Sequence, residues 1–176
     1  MYRILTEFFQ RFLKPSTIYK YGFNYSPMYR RTTAKLIEVS EDLHRVVIKL
    51  KPSWKNRNYT GTIFGGSMLS ATDPIFMIQL IQILGKNYVV WDKAVEARYR
   101  RPAKTTIYGE FVFSASEISD IKKRVINKRE IDVLKTVELT DKENNIIATF
   151  NKTIYVAEKQ FYKTKLTRRK SNKSNQ

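Results

Sequence analysis

Residues 58–84 read NYTGTIFGGSMLSATDPIFMIQLIQIL, and this is the most informative stretch of the chain for the fold. From Gly65 to Leu84 it is largely apolar, and Asp73 is its single charged residue. Such a run predicts a helix that is buried on nearly all sides. A carboxylate on a helix of this kind is costly unless it is paired or used, so Asp73 is a candidate functional residue.

The beginning of this helix offers hydrogen-bond donors to a ligand. The first amide N–H groups of a helix have no partner within the helix, and glycines there let a ligand oxygen approach the backbone closely. We therefore expect Gly65 and Gly66 to form an oxyanion site for an acyl carbonyl.

The spacing between the two features predicts an oligomer. Asp73 comes eight residues after Gly65, which is about 12 Å further along the helix axis at 1.5 Å per residue. One carbonyl group cannot contact both. If the two belong to one site, Asp73 must meet the glycine turn of a second copy across a two-fold axis. We therefore expect a homodimer, or a tetramer built from it.

The rest of the chain reads as strands around this helix. Alternating apolar and polar residues, bounded by turn residues, predict strands at 33–40, 44–50, 88–101, 105–115, 131–140 and 146–156. The segment 116–129 is polar and basic and receives no assignment. The pattern predicts an α+β domain in which an antiparallel sheet wraps around one long central helix.

The central stretch resembles a known family. Asn58, Gly61, Gly65-Gly66 and Asp73 are similar in spacing to the pattern N-x-x-G-x-x-H-G-G-x6-D of the phenylacetate-type acyl-CoA thioesterases, except that Phe64 stands where those proteins usually have His. These enzymes have the hotdog fold. Four further short strings resemble the DUF4442 branch of that superfamily: Phe64-Gly65-Gly66-Ser67, Thr72-Asp73-Pro74, Val90-Trp91-Asp92-Lys93 and Arg101-Pro102. The resemblance covers roughly residues 30–157.

The resemblance implies a reaction, the hydrolysis of acyl-CoA thioesters to free acid and coenzyme A. Asp73 would act as general base or nucleophile, Gly65 would polarise the thioester carbonyl, and Asn58 would orient water or substrate. Asp92 falls near a position that helps to hold water in relatives. No cofactor is implied other than coenzyme A as part of the substrate. The substrate-binding residues would be Phe64, Gly66, Arg100, Arg101 and Lys104, the last three at the nucleotide end of coenzyme A.

Phe64 and Pro74 leave a second function open. Pro74 lacks a backbone donor and clashes with the carbonyl of Ser70, which predicts a kink that re-aims Asp73. Since the His is also replaced by Phe64, the alternative is a hotdog protein that binds acyl-CoA or fatty-acyl groups without catalysis.

Composition limits the remaining classes. A chain of 176 residues with 42% hydrophobic content fits one domain, which we place at 31–157. Cysteine is absent and His44 is the single histidine, so we expect no disulfides, no metal site and a cytoplasmic location.

Both termini invite a membrane interpretation. Residues 1–13, in the N-terminal region 1–30, form an amphipathic pattern that would lie on a bilayer or pack on a sheet edge or a partner. The net charge is +17, and residues 158–176 form a basic tail that we expect to be disordered or loosely attached. The tail serves solubility, or it attracts anionic lipid, RNA or the phosphates of coenzyme A. No RNA-binding fingerprint is present, so we expect no specific nucleic acid.

Overall fold

The computed structural model describes residues 14–174, and the side chains of residues 14–168. Six strands form one antiparallel sheet in the order β1-β2-β4-β5-β6-β3. The strands fall where the sequence predicts them: β1 Ala34–Val39, β2 Arg45–Leu50, β3 Tyr88–Tyr99, β4 Ile107–Val112, β5 Glu130–Thr140 and β6 Ile146–Glu158.

The described helices are α1 Pro15–Tyr25, α2 Pro27–Arg30, α3 Gly65–Thr72, α4 Ile75–Leu84, α5 Ala115–Lys128 and α6 Lys159–Ser174. Helices α3 and α4 follow one another and pack against the sheet as the central helix. Their buried side chains, including Phe76 and Leu80, join the inward side chains of the strands in one core. Phe76 meets Phe111 and Phe113 edge to face, with ring centroids 4.8 and 5.5 Å apart.

The predicted interruption of the central helix at Pro74 is confirmed. Asp73 and Pro74 separate α3 from α4, although both keep helical backbone angles. The cause is the missing N–H of proline, which leaves the helix one hydrogen bond short. By length and composition Gly65–Leu84 could cross a membrane, but half of its residues are buried inside this fold, as expected for the core helix of a domain.

The segment between residues 15 and 31 is helical, although its many aromatic residues by themselves predict an irregular, packed connection that follows a helix ending before Pro15. Pro15 and Pro27 each occupy the first turn of a helix, where a missing N–H costs nothing, and so they begin α1 and α2. Tyr19 and Tyr29 donate hydrogen bonds to the carbonyls of Ile75 (3.2 Å) and Ala71 (3.0 Å), on either side of the central break. The amphipathic helix predicted for residues 1–13 lies outside the described residues.

Helix α5 fills the segment that received no assignment. Ser114 caps it by accepting a hydrogen bond from the N–H of Glu117 at 3.0 Å. Ile118, Ile121 and Val125 form its buried face at helical spacing. The capping serine and the helical spacing of the apolar residues can both be recognised in the sequence, so this helix could have been predicted.

The C-terminal segment also differs from the prediction, since the tail expected to be disordered forms α6. Tyr162 packs near Tyr155 of β6 with ring centroids 6.1 Å apart, and Lys165 forms an ion pair with Glu130. Composition alone does not reveal these attachments to the sheet. The domain boundaries at residues 30 and 157 stay predictions.

Candidate active site

Asp73 lies at the break between α3 and α4, and its side chain is 56% exposed. It lines a cavity of about 730 Å³ that runs along the outer side of the central helix. We call this space the Asp73 cavity. Its other lining residues include Phe64, Gly66, Pro74 and Met77.

A lysine holds Asp73 from the sheet side. The side chain of Lys152 is only 1% exposed, and its Nζ lies 2.9 Å from Asp73 Oδ1. The same Nζ lies 3.0 Å from Asp92 Oδ2 and also donates a hydrogen bond to the backbone carbonyl of Asp73. One buried ammonium group therefore joins two carboxylates and the backbone at the helix break.

Lys152 is a residue that the sequence analysis missed. On β6 the side chains of Ala148, Phe150, Ile154 and Val156 are fully buried, and Lys152 falls in the same alternation. A lysine at an inward position of a strand is rare unless it has a partner. That break in the apolar pattern of 146–156 is the signal from which it could have been found.

Asp92, predicted to help position water, belongs to this ion-pair cluster. Burial raises the pKa of its carboxyl group above the ordinary value, although the hydrogen bond from Lys152 and its positive charge act in the opposite direction. Oδ1 of Asp92 is buried and has no hydrogen-bond partner among the described residues. Only one of the two carboxylate oxygens of Asp92 therefore has a partner among the described residues. The role of Asp92 in holding water stays a prediction.

The two glycines at the start of α3 fit closely between aromatic rings. A Cβ at Gly66 would lie 2.3 Å from Cε1 of Phe64, and a Cβ at Gly65 would lie 3.0 Å from the ring of Tyr99. Tyr99 also donates a hydrogen bond to the carbonyl of Gly65 at 3.1 Å. A side chain at position 66 would force the exposed ring of Phe64 to move, and one at position 65 would crowd the ring of Tyr99.

The amide groups of both glycines are nevertheless available. The N–H groups of Ser67 and Met68 bond to the carbonyl of Phe64 at 2.9 and 3.3 Å. Those of Gly65 and Gly66 make no hydrogen bond to any described residue. They are the donors that a ligand oxygen at this helix N-terminus would use.

Asn58 stabilises its own loop. Its Oδ1 accepts hydrogen bonds from the backbone N–H groups of Thr60 (3.1 Å) and Thr62 (3.0 Å), and its Nδ2 donates to Thr62 Oγ1 at 2.9 Å. Gly61, at φ +78°, completes the turn in the left-handed region that glycine adopts readily. In this arrangement Asn58 shapes the loop that leads into α3.

The basic residues predicted to bind coenzyme A are divided by the structure. Arg100 and Arg101 line a cavity of about 440 Å³ together with Asn58 and Gly65. Arg100 Nε donates to Thr149 Oγ1 at 3.2 Å, which fixes the guanidinium at the cavity wall. Lys104 is exposed and lies outside the lining of this cavity.

Within one chain, the predicted site residues fall into two groups. Asp73 lines the first cavity with Gly66 and Phe64, whereas Gly65 and Asn58 line the second. Among the described residues, no group of three or more His, Asp, Glu or Cys side chains is arranged to hold a metal ion.

Comparison with known proteins gives the family and the fold. The family model described as Domain of unknown function (DUF4442) matches residues 17–156. No protein with a curated description is similar enough in sequence to be matched to this chain.

Several solved structures share the architecture. A Pseudomonas aeruginosa protein of unknown function, described as a probable thioesterase, superposes with a TM-score of 0.73 at 16% identity, over 82% of this chain and 96% of that one. A thioesterase from Haemophilus influenzae gives 0.58 at 10% identity, over 81% and 90%. A Chlorobaculum tepidum protein of unknown function gives 0.62 at 14% identity, over 89% and 94%. Identities this low show a shared fold alone, and the predicted hotdog fold is confirmed.

Proposed function

The chain belongs to the DUF4442 family, whose function is unknown, and we propose that this member hydrolyses acyl thioesters. The observation that carries the proposal is Asp73, a half-exposed carboxylate at the break of an otherwise apolar central helix, held by the buried Lys152 and facing a cavity. Proteins of the same fold that are described as thioesterases support the reaction class.

Asp73 has one oxygen engaged and one available. Oδ1 accepts from Lys152, whereas Oδ2 makes no hydrogen bond to a described residue. As a general base, Oδ2 takes a proton from water while the water oxygen attacks the thioester carbon; the C–S bond then breaks, and the thiolate leaving group takes up a proton. As a nucleophile, Asp73 instead attacks the thioester carbon, the C–S bond breaks as the thiolate leaves and takes up a proton, and water hydrolyses the resulting anhydride to free acid and Asp73.

The oxyanion donors come from Gly65 and Gly66 of the partner subunit. Within one chain, β3 connects the two parts of the site: Asp92 near its beginning contacts Lys152, and Tyr99 at its end contacts Gly65. If β3 pairs antiparallel with its copy around a two-fold axis, the Asp92 end of one strand lies beside the Tyr99 end of the other. Asp73 then faces the partner's glycine turn, as the helical spacing requires.

The positive charges of the protein favour coenzyme A as the thiol part of the substrate. Arg100 and Arg101 line the cavity beside Gly65, and arginine is well suited to binding phosphate groups. The formal net charge of +17 attracts a polyanionic substrate to the protein at low ionic strength.

A panel of acyl-CoA substrates, assayed with Asp73→Asn, tests the proposal. Loss of a general base or nucleophile lowers turnover by a factor of about 10² to 10⁴. The exposed Asp120, which pairs with Arg124 on α5, supplies the control Asp120→Asn, and this variant should retain wild-type turnover. Equal turnover in the wild type and Asp73→Asn would refute the assignment.

Binding without catalysis is the second candidate. Two observations favour it: Asn58 is engaged within its own loop, and the apolar Phe64 stands at the helix entrance. Micromolar binding of acyl-CoA with no hydrolysis in the wild type would identify the protein as an acyl-CoA binder.

A further inference from the structure

A second apolar cavity lies beneath α1. It has a volume of about 440 Å³ and separates α1 from the outer side of α4. We call it the α1 groove. Its lining is mainly apolar, and includes Ile18, Tyr19, Phe23, Met28, Leu43 and Ile78.

The groove is fixed in place by the bonds that anchor α1. Asn24 exchanges two hydrogen bonds with the backbone of Leu36 in β1, at 2.8 and 2.9 Å. Lys20 Nζ donates to the carbonyl of Ile37 at 2.6 Å, and Tyr19 donates to the carbonyl of Ile75 on the other side. The helix is therefore tied to both walls, and the space between them is part of the fold.

The groove adjoins the Asp73 cavity. Met28 and Ile78 line both spaces, so the two cavities share part of their apolar walls. The α1 groove reaches Gln82, nine residues after Asp73. At 1.5 Å per residue this path is about 13 Å long, the length of an extended alkyl chain of about ten carbons.

Gly22 lies in the lining of the groove, inside α1. Glycine within a helix is unfavourable compared with alanine, so a packing or functional reason is expected for it. Gly22 is exposed, and a Cβ at this position would meet no atom within 4 Å, so packing supplies no such reason. A side chain here would extend over open space at the rim of the groove.

We propose that the α1 groove holds the distal end of a linear acyl chain whose thioester lies at Asp73. The inference rests on the proposed function, and it names the substrate class: medium-chain aliphatic acyl thioesters of about eight to twelve carbons. Short acyl groups end inside the Asp73 cavity and gain nothing from the groove.

Gly22→Leu tests this inference, because it fills the groove without touching Asp73. With saturated acyl-CoA substrates of increasing length, the wild type should show its highest kcat/KM at about eight to twelve carbons. The variant should prefer shorter chains, with kcat/KM falling about fourfold for each methylene that the groove no longer accepts. Activity on butanoyl-CoA should not change.

Two controls accompany the variant. Tyr25→Leu alters an exposed residue on the same helix outside the groove and should keep the wild-type preference for chain length. Thermal denaturation of Gly22→Leu should show a melting temperature equal to or above that of the wild type, since the substitution meets open space. A lower melting temperature would mean that another part of the protein fills the groove, and would overturn the proposal.

Binding of decanoic acid, followed by calorimetry, separates this inference from the proposed function. If no acyl-CoA is hydrolysed but decanoic acid binds the wild type at least about tenfold more tightly than Gly22→Leu, the groove stands and the thioesterase assignment fails. If hydrolysis occurs with the same chain-length profile in both proteins, the assignment stands and the groove is refuted.

Discussion

Lys152 is the least expected residue of this core. Among the described side chains it is the only charged one that is almost fully buried. Taking an ammonium group out of water is costly, and the cost is offset here by two carboxylates and a backbone carbonyl. The same contacts hold one oxygen of Asp73 and leave the other available for chemistry.

We predict that Lys152→Met destabilises the protein by about 3–5 kcal/mol, the usual result of removing one partner from a buried ion pair. Asp92 would be left part-buried without its partner, whereas Asp73 remains half solvated. Urea-induced unfolding measures the change. If Lys152→Met were as stable as the wild type, the predicted role of the ion pair would be contradicted.

The double variant Lys152→Met with Asp92→Asn separates stability from catalysis. Replacing the unpaired Asp92 carboxylate by an amide should restore part of the stability that Lys152→Met loses. Turnover should be low in both variants, because Oδ1 of Asp73 has lost its hydrogen-bond donor in each. If turnover recovered together with stability, Lys152 would be a structural residue alone.

We also predict an unusual pH dependence from Asp92. Its pKa is raised in the folded state, mainly by burial, so the fold disfavours the ionised form. This group's contribution to stability is therefore fully present below the ordinary aspartate pKa of about 3.9 and is lost as the pH rises through the higher folded value. Relative to Asp92→Asn, the wild type should become less stable as the pH is raised from about 4 towards neutrality.

Asp42→Asn is the control for this experiment, and its effect on stability should depend on pH in the opposite direction. Hydrogen bonds from Ser40 and from the backbone of His44 lower the pKa of Asp42. Its contribution is present above the ordinary pKa and is lost as the pH falls through the lowered value. Urea unfolding of Asp92→Asn and Asp42→Asn from about pH 2 to about pH 7 should give differences from the wild type of opposite slope, with the Asp42 change confined to below about pH 4. Parallel slopes would contradict the prediction for Asp92.

Among the secondary-structure elements, β3 is the edge strand that is best suited to pair with a second copy of the chain. It is 12 residues long, lies at the end of the sheet and pairs with β6 alone among the described strands. Trp91, Val95 and Tyr99 are exposed along it. Natural proteins rarely leave a long edge strand uncovered, which favours pairing between two copies.

We therefore predict that Trp91→Lys weakens the dimer. A charge on the edge strand opposes the pairing of two copies, and turnover should fall with the dimer fraction because the proposed site takes its glycine turn from the partner. Sedimentation at micromolar concentration, alongside the acyl-CoA assay, measures both. Leu134→Lys makes the same kind of change at a 75% exposed residue of β5, away from the edge, and should leave assembly intact.

A monomeric wild type with full turnover would refute the shared site. So would a Trp91→Lys variant that is monomeric and as active as the wild type, because one chain would then contain the complete catalytic apparatus.

The helices that sequence analysis did not assign show why elements are missed. Proline often follows the end of a helix, yet it is equally suited to the first turn of one, and for Pro15 only contacts with β1 and the central helix select that outcome. For α6 the basic composition argued for disorder, and the contacts with Tyr155 and Glu130 are what hold it. Local composition does not contain the partner surface.

At the scale of the whole molecule, the fold assembles the site from distant parts of the chain. Asp73 comes from the central helix, Asp92 from the edge strand and Lys152 from its neighbour β6. Asp73 and Lys152 are 79 residues apart in the chain. The two cavities along α4 likewise depend on α1 and α2, because residues of these helices form part of their lining.

The fold class, the strands, the central helix with its break at Pro74 and its lone charge Asp73 could all be predicted from the sequence. These features follow from periodicity, proline chemistry and the cost of burying a carboxylate, all of which are local. Three features could be read only from tertiary contacts: Lys152 meets both carboxylates, Asn58 bonds within its own loop, and a groove lies between α1 and α4. Those outcomes depend on which surfaces come to lie together, and that is a property of the folded chain.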